Sequence, residues 1–220
     1  MKSCCSSTSD NRLARSSFET AGTCRAFRPD PVPDATLRRV LDAARFAPSG
    51  GNRQPVRLVV VRDAELRRRL RDLYVPLWEA YLARMGAGAG PTSALVARAD
   101  RFARALHEIP VHVVVCARLA DVLATDAHLG RLSVVGGASI YPAVENLLLA
   151  ARDQGLGGAL TTLLCAVEPD VKNLLGIPED GIATAALLAL GFPAEPFPMK
   201  LARRPLDAMV FGDRWGEPLR

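Results

Sequence analysis

The chain has 220 residues, 49% of them hydrophobic and only 5% aromatic, so one core of Ala, Leu and Val can form without disulfide or metal staples. Its 28 Lys and Arg against 23 Asp and Glu give a net charge of +5, and the two signs are interleaved, which argues against a nucleic-acid-binding stripe. Five cysteines at 4, 5, 24, 116 and 165 show no CxxC pair and no zinc spacing with His, and fit reduced thiols in a cytoplasmic protein.

Residues 1–17 are Ser-rich, carry Lys2, Asp10, Arg12 and Arg15, and lack the apolar stretch of a signal peptide. They read as a tail ahead of a single domain spanning 18–220. Pro29, Pro31 and Pro33 then stiffen a connector. Asp34 is expected to cap a helix whose apolar positions are Leu37, Val40, Leu41, Ala44 and Ala47, and which Pro48 to Asn52 stops. Val56 to Val61 reads as a buried strand. Ala64 to Arg84 follows as a helix, with Leu66, Leu70, Leu73, Leu77 and Leu82 at apolar positions and Tyr74, Trp78 and Tyr81 as a core stripe.

Gly86 to Pro91 is a glycine-rich break, Ser93 to His107 a further helix, and Val111 to Ala117 a second buried strand. Ser133 to Gln154 carries a long helix that is apolar nearly all round, so it must lie inside the protein or in an interface. Gly157 to Thr162 turns into a strand-like stretch, Val167 to Leu175 is a short helix, and Ile182 to Gly191 a third strand. Met209 to Phe211, followed by Trp215, is a candidate edge strand. No apolar run approaches a membrane span. Strands separated by helices imply an α/β or α+β layer structure, and without a strand–GxGxxG–helix unit a Rossmann site is not expected.

Three stretches could carry chemistry. In Pro48-Ser49-Gly50-Gly51-Asn52-Arg53-Gln54-Pro55, two glycines allow close backbone approach to a flat ligand, and Ser, Asn and Gln can read mixed donors and acceptors. A plain polar loop has the same composition. Thr23-Cys24-Arg25 sets an Arg beside a hydroxyl, suited to a phosphate or a ring carbonyl, although surface arginines are common. Arg203-Arg204 could clamp a phosphate or simply be solvated. His107, His112 and His128 form no HExxH, and no Gly-x-Ser-x-Gly elbow occurs.

Taken together and in order, these stretches resemble the FMN-dependent nitroreductase family. The resemblance is carried by residues 24–34, by 41–55 up to Gln54-Pro55, and by Ala143-Val144-Glu145-Asn146, Gly155-Leu156-Gly157-Gly158, Leu175-Gly176-Ile177-Pro178, Leu190-Gly191-Phe192-Pro193 and Arg203-Arg204-Pro205-Leu206. It covers roughly residues 18 to 217. It implies an α+β fold, an α-β-α sandwich around a central mixed or antiparallel sheet with a domain-swapped C-terminal segment. It also implies a homodimer with two FMN sites at its interface and NAD(P)H as co-substrate.

By position, the resemblance puts Thr23, Cys24 and Arg25 at the flavin's ribityl-phosphate or pyrimidine edge, with Arg203 or Arg204 on the phosphate. Pro48, Ser49, Gly50, Asn52 and Gln54 approach from the partner subunit, and backbone N–H groups around Leu160, Thr161 and Thr162 face flavin N5. The protein then sets stacking and electrostatics while the flavin carries the chemistry. Two departures stand out: the family usually has Arg just before the position of Thr23, where this chain has Ala21 and Gly22, and an aromatic after Gln-Pro, where it has Val56.

The implied activity is hydride transfer from NAD(P)H through FMN to a nitroaromatic, quinone or similar small-molecule acceptor, by a ping-pong sequence. Its rivals are an FMN-dependent dehydrogenase in natural-product biosynthesis that passes electrons to oxygen, and a non-catalytic flavin-binding protein. The segment from about Tyr74 to Arg104 is expected to roof the pocket. Neither a membrane nor a nucleic acid is an expected partner.

Overall fold

The computed structural model describes residues 17–86, 93–198 and 200–219. The tail read over residues 1–17 lies outside them except for Ser17, and so does most of the Gly86–Pro91 break. Strands β1 (Val56–Val61), β2 (Val111–Arg118), β3 (Gly157–Thr161) and β4 (Ile182–Gly191) form a four-stranded sheet in the order β1-β2-β4-β3, with every pair antiparallel. Helices α1 (Asp34–Ala44), α2 (Ala64–Arg84), α3 (Ala94–Arg104), α4 (Tyr141–Asp153) and α5 (Glu168–Leu175) cover it.

Strand periodicity divides the core into two layers. On β2, Val111, Val113 and Val115 face one side and Val114 and Cys116 the other; on β4, Leu188 and Leu190 oppose Leu187 and Ala189. The first face packs on Leu37 and Val40 of α1 and on Val144, Leu147 and Ala151 of α4. The second packs on Leu70, Tyr74 and Trp78 of α2, Phe102 of α3 and Val171 of α5. Both central strands are therefore covered on both faces, which is why they read as nearly continuous apolar runs. A bulge in β4 opposite Val115 and Cys116 shifts the register.

Several boundaries differ from expectation. Pro33, not Asp34, occupies the cap position of α1; Asp34 is its first helical residue and pairs with Arg62. β1 is an edge strand with only Val61 fully buried, and among the described residues no strand pairs with its outer side. Helix α3 stops at Arg104 and yields to a tight turn over Leu106–Glu108.

The long helix expected from Ser133 starts at Tyr141 instead. Pro142 fits the first turn, but its ring would clash with a helical carbonyl four residues earlier. The preceding segment is organised otherwise: the buried Asp126 carboxylate accepts from Ser133 Oγ (2.6 Å), Arg131 Nη1 (2.7 Å) and the Val134 amide (3.1 Å). Met209 to Phe211 form no strand. A short turn covers Leu206–Ala208, and the Phe211 and Trp215 rings pack on each other at 4.8 Å.

His112 on β2 is fully buried, and its Nε2 donates to the Leu106 carbonyl (2.9 Å) while Nδ1 has no partner. Burial lowers its pKa from 6.5 to about 4, so the folded state excludes a proton that the unfolded chain accepts. The stability this provides is complete above pH 6.5 and declines as pH falls to about 4, by about 3 kcal/mol for this one residue. Urea unfolding of wild type and His112→Gln across that window is expected to show the steeper loss in wild type. Equal slopes would remove His112 as the source.

Candidate functional site

Residues 23–25 owe their position to glycine. Thr23 bridges Gly158 in parallel, outside the regular sheet, and the Cys24 amide donates to the Gly158 carbonyl at 2.9 Å. Neither glycine at the start of β3 has room for a side chain: a Cβ on Gly157 would sit 2.6 Å from Cys24 Sγ, and one on Gly158 would sit 2.6 Å from Leu148 Cδ2 of α4. The Cys24 thiol donates to the Ala26 carbonyl (3.2 Å), and burial raises its pKa, so it stands as a neutral thiol and not as a nucleophile.

The C-terminal chain returns to the same place. The Leu201 amide donates to the Glu19 carbonyl at 2.9 Å, and Leu201 Cδ2 lies 2.8 Å from where a Cβ on Gly22 would be. This strap carries Arg203 to a cleft of about 550 Å³ shared with Thr23, Cys24, Arg25, Arg98 and Glu195. Arg98 on α3 pairs with Glu195 across the cleft. Arg25 is half-buried with no carboxylate beside it among the described residues, and Arg203 bonds only to its neighbouring Ala202 carbonyl. The cleft is thus net positive, suited to an anion.

The Pro48–Gln54 loop lies elsewhere on the chain. Gly51, Asn52 and Gln54 adopt φ of 58°, 53° and 50°, a left-handed conformation that costs on the order of 1 kcal/mol or more for each non-glycine residue. Ser49 Oγ accepts from the Gln54 amide (2.9 Å), Ser139 Oγ accepts from the Gly50 amide (3.0 Å), and Gln54 Nε2 donates to Asn52 Oδ1 (3.2 Å). A hollow of about 390 Å³ includes Pro48, Ser49 and Gly50 together with Leu123 and Val135. Gln54 opens on a smaller depression beside Ser49 and Arg57.

Of the residues singled out from sequence, one chain brings together Thr23, Cys24, Arg25 and Arg203, with Leu160 beside them in a small pocket that also holds Gly22 and Thr23. Pro48, Ser49, Gly50, Asn52 and Gln54 form a separate group. Thr161 is held by the Tyr74 hydroxyl (Oη to Oγ1, 3.2 Å), Thr162 leads into a turn over Leu163–Val167, and Arg204 is exposed. Tyr74 combines its place in the core with this polar contact, and its burial raises the phenol pKa.

Arg98, Arg152, Glu195 and Phe197 at the cleft, and Ser139 at the loop, escape sequence reasoning. They come from segments far apart in the chain and carry no local motif. Among the described residues no three His, Cys, Asp or Glu side chains gather as a metal site, and no helix is long and apolar enough to cross a membrane.

The fold is an antiparallel sheet between helical layers, with a cationic cleft at the end of its edge strand β3. The nitroreductase family model matches residues 21–192, and the chain belongs to that family. An NADH dehydrogenase of Thermus thermophilus is 34% identical over 214 residues, covering 84% of this chain and 89% of that protein. A 5,6-dimethylbenzimidazole synthase of Rhodospirillum rubrum is 32% identical over 190 residues, covering 83% and 82%. The structure of oxidized iodotyrosine deiodinase bound to FMN and 3-iodo-L-tyrosine superposes with a TM-score of 0.68 at 23% identity, over 93% of this chain and 99% of that one.

Gly157→Ala tests the glycine contact. Its Cβ would press on both Cys24 Sγ (2.6 Å) and Cys24 Cβ (2.7 Å), so rotating the thiol away does not relieve it. Thermal denaturation should show a loss of about 1–3 kcal/mol, as for other overpacked sites. An unchanged melting temperature would separate Cys24 from β3.

Proposed function

We propose that the chain is an FMN-dependent oxidoreductase that takes hydride from NAD(P)H and delivers electrons to a nitroaromatic, quinone or related acceptor in a ping-pong sequence. The observation that carries this reading is the net-positive cleft at the N-terminal end of β3, where Arg25 and Arg203 converge without acidic partners of their own. Family membership and the FMN named in the iodotyrosine deiodinase structure make FMN the anion of choice, and the NADH dehydrogenase relative supports a nicotinamide donor.

The residues present fit the cofactor. Guanidiniums and the Thr23 hydroxyl suit a phosphate monoester, and the bare backbone of Gly157 and Gly158 lets residues 23–25 lie flat along β3. Bound FMN supplies hydride acceptance and onward electron transfer. Arg25 and Arg203 would hold its anionic end and the backbone amides around Leu160, Thr161 and Thr162 would face its ring, while the Tyr74 hydroxyl meets the Thr161 side chain. Cys24 serves through its backbone.

The Ser49–Gln54 loop completes the site from a second copy, which explains why it lies apart from the cleft in one chain. Its hollow is lined in part by the exposed Leu123 and by Val135, and Leu132 (87%) and Val134 (74%), next to Val135 in the chain, also stand in solvent. A C-terminal arm with Trp215 91% exposed is likewise shaped for a partner, as a domain-swapped segment in a homodimer would be. The relationship to 5,6-dimethylbenzimidazole synthase supports a second reading, a flavin-dependent dehydrogenase in biosynthesis that uses oxygen as electron acceptor.

Purified protein is expected to be yellow and to bleach on anaerobic addition of NADH or NADPH; a bound flavin that stays oxidised with both favours the biosynthetic reading. Arg25→Ala should lower flavin content severalfold, and full occupancy would exclude its role. Mixing chains carrying Arg25→Ala with chains carrying Gln54→Ala should restore about a quarter of wild-type sites if each site draws on both subunits, since half of randomly formed dimers are mixed and each holds one intact site. No recovery, with mixed dimers present, would place both residues in one subunit's site.

A further inference from the structure

Arg152 sits in the last turn of α4, half-buried, and its Nε donates to Thr20 Oγ1 at 3.0 Å. Its guanidinium carbon lies 3.9 Å over the Phe197 ring. Stacked and tethered in this way, it borders a small pocket together with Ala21, Gly22, Thr23 and Leu160, adjoining the large cleft through Gly22, Thr23 and Phe197.

No carboxylate pairs with Arg152 among the described residues, although it is half-buried, stacked on Phe197 and tethered to Thr20. Ordering a partly desolvated guanidinium without a counter-charge is unfavourable unless an anion completes the arrangement. Among the described residues its terminal nitrogens have no hydrogen-bond acceptor, leaving the planar fork that suits phosphate oxygens. The adjoining backbone offers no cation of its own: position 21 is a methyl group, and position 22 has Leu201 Cδ2 2.8 Å from where a Cβ would start.

We infer that Arg152 is a phosphate-binding residue of the FMN site, supplying from α4 the positive charge that residues 21 and 22 lack. This rests on the FMN reading above. Phe197 holds the guanidinium in plane, and Thr20 accepts from Nε, so that the two terminal nitrogens remain for the phosphate. Arg25 and Arg203 approach from the cleft side and Arg152 from the helix side, so the phosphate is held between segments distant in sequence.

The test compares FMN with riboflavin, which has the same ring and ribityl chain but no phosphate, binding to flavin-free protein and read by quenching of flavin fluorescence. Wild type should prefer FMN. Arg152→Ala should weaken FMN by about 10- to 100-fold, the range of a charge-assisted contact, and leave riboflavin unchanged. Arg152→Gln, which retains a donor for Thr20, should show the same split if the alanine variant folds poorly. Ala21→Arg added to Arg152→Ala should recover FMN affinity.

Equal weakening of both ligands would reduce Arg152 to a structural role and overturn the inference. So would undiminished FMN affinity in a folded variant. Wild-type protein that binds neither flavin would instead defeat the FMN reading itself, a result distinct from either.

Discussion

The site hangs on one backbone contact, the bridge from Thr23 and Cys24 to Gly158. A chain can run this close to a strand only where the strand lacks side chains, and β3 begins with two glycines whose absent Cβ atoms would collide with Cys24 and Leu148. Once residues 22–25 lie there, Gly22 gives Leu201 its seat, and the C-terminal strap is fixed by its bond to Glu19. Arg203 then reaches the cleft. A methyl group at Gly157 or Gly158 would therefore disturb a constellation to which neither glycine contributes a functional group.

The second constraint is conformational. Gly51, Asn52 and Gln54 hold left-handed backbone within four residues, and the hydrogen bonds of Ser49, Ser139 and Asn52 oppose relaxation to ordinary dihedrals. A loop needed only to link a helix to an edge strand has no use for such strain. Its anchorage extends to Asp126, whose carboxylate gathers Ser133, Arg131 and the Val134 amide and so shapes the segment leading to Ser139. That same bonding holds the Asp126 carboxyl below the usual carboxylate range, with the Ser133 hydroxyl the largest influence. The loop, its support and the exposed leucines around it form one prepared surface.

The apolar periods of β2, β4 and α2 were legible in the sequence because each is a local pattern that burial on both faces enforces. The start of α4 was not, since an apolar run says nothing about where Pro142 forbids another turn or where Asp126 captures the chain instead. The loop and the residues around Thr23 could be marked from composition, yet only family register joined them. Tyr74 shows the limit from the other side: its helical spacing indicates core, and it is core, but nothing local reveals that its hydroxyl meets Thr161.

Charge placement follows the same logic at longer range. Several arginines here pair with carboxylates at the surface, where each pair contributes little to stability and confers no site. What distinguishes the cleft is that Arg25, Arg152 and Arg203, on three separate segments and without a carboxylate partner among the described residues, line two adjoining pockets at the end of β3. Glu195, the one acid there, is already engaged by Arg98. A basic chain does not require such convergence, because its excess charge can be solvated anywhere; concentrating unpaired guanidiniums around a hydroxyl and an open backbone is favourable only when an anion is shared among them. Ala21 and Gly22 bring no charge to the cleft, which is lined instead by Arg25, Arg98 and Arg203. Arg152 adds its guanidinium from α4, where the bond to Thr20 and the stacking on Phe197 fix its direction.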